Sequence, residues 1–455
     1  MPDVSLPTSL LHESPLCPAL WPFHLDLLPQ ASYLVGGVVR DVLLGRQADY
    51  LDLDFVMPER SVETARAIAQ HYSAGFVVLD AERQIARVVF KKATVDFALQ
   101  EGASLEQDLR RRDFTVNAMA YNPHTETLVD PLDGYGDLKR RCLRMVSEQN
   151  LRDDPLRLLR AYRQSAQLGF ELDEATAIAI QHQAAGLAQV AAERVQSEIN
   201  TLLATPRGTV WLQRAWAAGL LGAWLPSATD ASLEQMRSLN ALEVCLAELW
   251  PTLLTPDPAH LKSSLGKFGD VALARLVALT SDDPETAELQ LQRLKFSRLE
   301  VRTAATVRRF QPQLAALPLS IRERFFLFQN VGTLFPVLAL SWWVSQEWFT
   351  RAGDGQTDAE RTETWAEALR KSAIAPLVQH YLDPTDPVAH PKPMLGGKEL
   401  MRLLEIKPGP HLGKLLTELQ VAQAEGKVRS REGAIVWSEA YIQSEEFQQI
   451  YRYRR

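Results

Sequence analysis

A chain of 455 residues exceeds what one hydrophobic core organises and predicts roughly two to four domains. A hydrophobic fraction of 46% beside 23% charged residues is ordinary for a globular chain, and the net charge of −7 excludes a surface that is basic throughout, though not local basic clusters. Cys17, Cys142 and Cys245 are few, odd in number and far apart, which argues against a disulfide frame and a cysteine zinc site and for a reducing compartment. No stretch reads as long and apolar enough to span a bilayer, and no charged-then-apolar leader opens the chain, so a cytoplasmic protein with no membrane partner is expected.

Residues 1–30 are proline-rich and read as irregular. The first dense stretch runs from Tyr33 to Val56. Tyr33-Leu34-Val35 has strand composition, Gly36-Gly37 precede a short helical run to Leu44, and Gly45 suits its end. Leu51 to Val56 then alternates apolar with acidic, as a strand with one wet face does. Side chains two apart on a strand share a face, so Asp52 and Asp54 aim two carboxylates at one point, roughly 6.5–7 Å apart along the strand. Such a pair repels unless a cation lies between, and Mg²⁺ does that well. Paired glycines at a helix start let backbone N–H groups approach an anion, and Arg40 in the first turn can clamp a phosphate oxygen. Each half has a plainer reading, as a tight turn and as a solvated strand edge. Their succession in one short unit favours phosphate and metal chemistry.

Ser61 to Tyr72 predicts a helix, and Phe76–Leu79, Ala86–Phe90 and Thr94–Phe97 predict short strands, which makes 31 to about 146 an α/β unit on a small sheet. Arg110-Arg111-Arg112-Asp113 opens a second dense motif, RRRDFTVNAMA. Arginine forks onto phosphate and aspartate accepts from a sugar hydroxyl; the plainer reading is a basic turn before an apolar strand. The segment Asp130 to Leu138, DPLDGYGDL, is turn-rich, and its glycines suit a hinge.

Beyond Asp153 the strand signals fade, and 154–168, 173–184, 191–203 and most of 209–311 carry apolar residues at helical spacing. Asp154, Arg157, Arg160 and Arg163 form one ridge, each step about 60° short of a full turn. Asp154 and Arg157 either pair with each other or present acceptor and donor together to a base edge. Two basic clusters, Lys139 to Arg163 and Arg293 to Arg309, read as phosphate contacts or as solvated helix faces. Ser345 to Thr362 reads as an exposed loop, prolines 384–393 as an irregular approach, and Lys398 to Glu439 as a last helical region.

In this order the motifs GGVVRD, LLG, DLD, RRDFTVNAMA, DPLDGYGDL, DDPLRLLRAYR and AAERVQSEINTLL resemble the class II tRNA nucleotidyltransferases, a family of CCA-adding enzymes, their CC- and A-adding relatives, and bacterial poly(A) polymerases. The likeness is dense from about 33 to 205 and resumes faintly in LGGKELMRLLEIKPGPHLGKLLTELQVAQAEGKV. It implies an α/β polymerase-β-like nucleotidyltransferase head (1–146) followed by an all-α neck (147–208), body (209–345) and tail (346–455), the neck recognising the nucleotide base and the tail binding tRNA. By the same resemblance Gly36, Gly37 and Arg40 meet the triphosphate, and Asp52 and Asp54 hold the metal. Arg112 and Asp113 meet triphosphate and ribose, Asp154 and Arg157 select CTP and ATP, and Arg160 and Arg163 add nucleotide contacts. Glu193, Arg194 and Glu198 match a motif that braces the neck helix. Asp153 stands where the family usually has Glu.

The expected function is a template-independent, Mg²⁺-dependent nucleotidyltransferase that extends the 3′ end of tRNA from CTP. Asp96 is a candidate third carboxylate for the metal and the acceptor proton. The stretch from Asp96 to Arg110 is shorter and less charged than the flexible loop of CCA-adding members, which points to CC as product, with CCA (and hence ATP) as close alternative. An A-adding enzyme, a poly(A) polymerase and a catalytically silent RNA-binding protein are the rivals. No partner protein is predicted.

Overall fold

The computed structural model describes residues 14–46, 50–205, 207–255, 257–258, 265–346 and 358–452, in two units divided after Ala223. The first unit holds one seven-stranded sheet: β1 (Tyr33–Val35), β2 (Leu51–Met57), β3 (Gly75–Asp80), β4 (Ile85–Val89), β5 (Ala93–Leu99), β6 (Ala120–Asn122) and β7 (Thr127–Val129). Their spatial order is β3-β4-β5-β2-β1-β6-β7. Only β2 and β5 run parallel, with Asp52 opposite Thr94 and Asp54 opposite Asp96. A parallel pair needs a crossover. Helix α1 (Gly37–Leu43) links β1 to β2, and α2 (Ser61–His71) with the β3–β4 hairpin makes the crossover to β5.

The alternation of β2 and β5 sorts their two faces. Leu53, Phe55, Val95 and Phe97 are fully buried on one, and Asp52, Asp54 and Asp96 occupy the other. Phe55 and Phe97 stack at 5.5 Å, and Trp21 and Phe23 close on them. The segment read as irregular is thus a core element: two short 3₁₀ turns place Leu16, Trp21, Phe23 and Leu28 in the interior, while 1–13 lie outside the described residues.

After β5 come α3 (Leu105–Arg110), a 3₁₀ turn at Thr115–Asn117, and α4 (Gly134–Arg140). The last corrects the hinge reading of DPLDGYGDL. Asp130 accepts from the N–H groups of Gly134 and Tyr135 at 2.8 and 2.9 Å, and a Cβ at Gly134 would lie 2.2 Å from the Thr115 carbonyl oxygen. Buried Asp137 then joins the Thr115 hydroxyl to Arg140 and Arg144. This segment is a clamp.

Helices α5 (Glu148–Asp153), α6 (Leu156–Leu168), α7 (Glu174–Gln183), α8 (Ala192–Ala204) and α9 (Gly208–Ala217) complete the unit. Asp154 does not open α6, as its place on the ridge suggested. It is extended (φ −138, ψ 90) between α5 and the N-cap Pro155.

Among the described residues of the second unit every regular element is a helix. Its central helices, Asp270–Ala278 and Phe335–Val344, are buried on every side. Contrary to the sequence reading, Ile321–Val344 is long and apolar enough to cross a membrane by composition, but 72% of that window is buried inside the protein, as a core helix pair is. The expected loop at 345–362 is cut short by the helix Asp358–Lys371; residues 347–357 lie outside the described residues. In the second basic cluster Arg308 is buried and donates to the carbonyls of Val277 and Thr280, so it is a packing residue rather than part of a basic surface.

Candidate active site

Gly36 ends β1 at φ 74 and ψ −136, a conformation reserved for glycine. A Cβ there would stand 3.6 Å from both an Arg112 nitrogen and Asp54 Oδ2, so bare backbone passes between the carboxylate and the guanidinium. Arg40, one turn into α1, donates twice to Asp41 at 2.9 Å and once to Asn117 Oδ1 at 2.8 Å. Asn117 in turn donates to Asp113 at 2.9 Å and to Gln164 of α6 at 3.0 Å. These groups line a cleft of about 430 Å³, walled by Gly36, Gly37, Arg40, Arg111, Arg112, Asp113, Asn117, Arg157, Arg160, Arg163 and Gln164.

The arginines are individually fixed. Asp108, with no exposed surface, accepts from Arg111 (3.0 Å), Arg112 (3.1 Å) and the Glu101 backbone N–H (3.0 Å). Burial alone would raise its pKa; Arg112, the Glu101 N–H and Arg111 outweigh this and hold it below the usual carboxylate range. Asn150 grips the carbonyls of Arg110 and Arg112 at 2.8 and 2.7 Å. Arg157 Nη1 donates to the carbonyls of Arg111 and Asn150 at 2.8 and 3.0 Å. Arg160 reaches Asp113 at 3.5 Å, and Arg160 and Arg163 share Glu198 of α8. The Nε atoms of Arg112 and Arg157 are buried and find no acceptor among the described residues. Orphaned cationic donors in a cleft suit an anionic, hydrogen-bonding ligand.

Asp154 and Arg157 approach only to 4.0 Å, and the carboxylate takes its closer partner from Arg194 at 2.9 Å. Burial pushes the Asp154 pKa up, but Arg194 and Arg157 pull it below the ordinary value. It stays ionised at neutral pH. Arg157 lines the cleft, while Asp154 is held by Arg194 beside it, so the two do not form a close pair.

On the carboxylate face, Asp54 is pushed up to about 6, first by burial, then by Asp52 and Asp96, against the pull of Arg112 and Arg87. Asp52 accepts from Thr94 Oγ1 at 2.5 Å. Asp96 is engaged: Arg87 of β4, its register partner, donates to both oxygens at 2.7 Å. Among the described residues no three His, Cys, Asp or Glu side chains converge as a ready metal cage. Asp52 and Asp54 fit a hard cation as a two-carboxylate donor set with uncompensated charge; Asp96 is at present committed to Arg87.

The twelve residues singled out from the sequence therefore divide between two adjoining sets, the carboxylate row and the arginine cleft, with Gly36 between. The sequence reading missed Asn117, Gln164, Asp108 and Arg87. Only Asp108 had a local signal, at three and four residues before Arg111 and Arg112, the spacing at which side chains meet on a helical turn.

Residues 32–144 match the Poly A polymerase head domain, 169–232 the probable RNA- and SrmB-binding site of polymerase A, and 269–437 tRNA nucleotidyltransferase domain 2. The chain is 45% identical to a CC-adding tRNA nucleotidyltransferase of Synechocystis, over 92% of its own length and 95% of that protein. It is 36% identical to an A-adding tRNA nucleotidyltransferase of Deinococcus radiodurans, over 90% and 94% respectively. Its fold resembles that of a Thermotoga maritima CCA-adding enzyme complexed with tRNA, with a TM-score of 0.63 over 90% of this chain and 91% of that one at 22% identity.

Proposed function

The chain belongs to the tRNA nucleotidyltransferase and poly(A) polymerase family, and from that premise we propose that it is of the CC-adding kind, transferring cytidylate from CTP to the 3′ end of tRNA. The observation that carries the choice is the connector between β5 and α3. It is residues 100–104 only, and it is tied down at three points: Gln100 N–H to the Met57 carbonyl, Glu101 N–H to Asp108, and Ala103 N–H to Gln107. No slack remains for a loop that would let the base-reading residues change from C to A. We read the chain as head, neck, body and tail at the boundaries expected from the sequence, working in the cytoplasm.

In this reading the backbone at Gly36 and Gly37, with Arg40 and Arg112, receives the triphosphate. Asp113 accepts from the ribose, and its tie to Asn117 fixes which oxygen faces the sugar. Asp154 and Arg157 read the base edge, an acceptor and a donor set on separate supports so that neither quenches the other. Arg160 and Arg163, braced on Glu198, add positive charge along the neck wall. Mg²⁺, held by Asp52 and Asp54, supplies neutralisation of the triphosphate and activation of the 3′ hydroxyl when bound. Asp96 would add a third carboxylate to that set if Arg87 released it.

The test is to offer tRNA ending at the discriminator base and tRNA ending in CC, each with CTP or ATP. Addition of two C residues to the first and no A to the second is expected. Ready addition of A to the second would overturn the CC assignment.

A further inference from the structure

The sheet carries, on the same face as the carboxylates, an exposed ledge that nothing so far explains. Register pairing extends the carboxylate rows outward: Asp54, Asp96, Arg87 and Val77 form one row, and Asp52, Thr94, Val89 and Gly75 the next. Directly paired residues share a face. Val77 is 49% and Val89 40% exposed, and Gly75 beside them is also exposed. The opposite face of β4 buries Ala86 and Val88 completely, so the ledge is the open side of a well-packed hairpin. At its end the turn from β4 to β5 carries Lys91 and Lys92, both exposed and neither in an ion pair among the described residues. Arg87 stands at its inner edge, its side chain 39% exposed.

In-line phosphoryl transfer places the attacking and leaving oxygens on opposite sides of the phosphorus. The triphosphate groups gather around the end of β1, on one side of the carboxylate row. The acceptor hydroxyl therefore enters from the other side, over β5, β4 and β3. We propose that this ledge is the acceptor subsite: the last unpaired nucleotides at the 3′ end of tRNA lie with ribose and base against Val77, Val89 and the bare backbone of Gly75, their phosphates toward Arg87, Lys91 and Lys92. An aliphatic strip with cations at both ends complements a single-stranded RNA end, which is apolar on its ring faces and anionic along its backbone. The absence of a side chain at Gly75 keeps the strip flat, since a Cβ there would press on Val89 at 3.3 Å. The inference rests on the triphosphate assignment above.

The experiment compares the wild type with Val77→Asp/Val89→Asp and with Lys91→Glu/Lys92→Glu, all at exposed positions. First-nucleotide addition is measured as KM for tRNA, KM for CTP and kcat, and tRNA binding is measured without nucleotide. Binding uses tRNA carrying its unpaired 3′ end and tRNA trimmed to the acceptor duplex. Expected for both variants is a KM for tRNA raised about tenfold or more, with CTP KM and saturated kcat unchanged. Affinity should fall only for the tRNA with the unpaired end, and the lysine variant should lower the salt slope of that binding by about one to two. An unchanged tRNA KM, or equal losses for trimmed and untrimmed tRNA, overturns the subsite. So does a sedimentation change in Val77→Asp/Val89→Asp with tRNA KM intact, which would assign the ledge to a second copy of the chain. If the enzyme extends only tRNA ending in CC, the same comparison is made with that acceptor and ATP; the CC reading then fails while the ledge is still judged.

Discussion

Asp108 and Arg112 form an ion pair at 3.1 Å in which the carboxylate has no exposed surface and the guanidinium borders the cleft. The same carboxylate takes the N–H of Glu101, so the connector after β5 and the cleft arginine hang on one side chain. Asp108→Asn keeps the shape, removes the charge and turns a donor toward Arg112. The expected result is a loss of about 2–4 kcal/mol in stability, because a buried pair is broken from one side. The KM for CTP should also rise several-fold with tRNA affinity unchanged. Denaturant unfolding together with steady-state kinetics checks both; a variant as stable as wild type with the same CTP KM would refute the role.

Asp54 makes stability fall with rising pH. Its folded pKa of about 6 lies above the ordinary 3.8, so between those values the folded protein holds a proton that the unfolded chain has released. The group thus favours folding as pH drops from about 6 toward 4 and withdraws that support above about 6. Asp54→Asn should raise the Tm by roughly 2–5 °C near pH 7.5 without added cation. The advantage should shrink near pH 4, and transfer should fall at least about a hundredfold. Calorimetry at the two pH values decides it; an equal offset at both would remove the linkage.

Arg157→Ala is expected to strike selectivity first. The Arg111 and Asn150 carbonyls lose a donor, which costs about 1–2 kcal/mol, while the base edge loses its partner altogether. Incorporation of UTP relative to CTP should rise about tenfold or more in competition assays. A uniform fall in rate with selectivity intact would make Arg157 a structural strut.

The connector offers a gain-of-function test. Inserting a longer flexible loop before Leu105 lengthens an exposed segment at small entropic cost, about 0.6 kcal/mol per doubling. It should let the enzyme add A to tRNA ending in CC. A folded, CTP-active protein that still refuses ATP would place specificity elsewhere in the neck.

The carboxylate pair and both arginine motifs were legible because each is written within a few consecutive residues, where strand alternation and helical spacing report the facing side. Arg87 was invisible because its role depends on which residue of β5 it opposes, and register is set by the whole sheet. Asp154 was misplaced for a related reason. Its spacing fits a helical ridge, but the chain turns at Pro155 and leaves it extended. Trp21 and Phe23 escaped notice because prolines and short 3₁₀ turns hide periodicity, although the aromatic content pointed inward. The start of the helix at Asp358 was overlooked because residues 358–362 are mostly polar in sequence and follow a glycine-containing stretch, which resembles a loop.

The first family match begins at residue 32, yet the aromatic layer beneath the two carboxylate strands includes Trp21 and Phe23, and Leu16 before them is also buried. Anyone trimming the protein to the matched head domain would strip the floor from under Phe55 and Phe97 and expose the back of the strand that carries Asp52 and Asp54 to water. A head beginning at Leu16 should yield soluble material, and one beginning at Ser32 inclusion bodies.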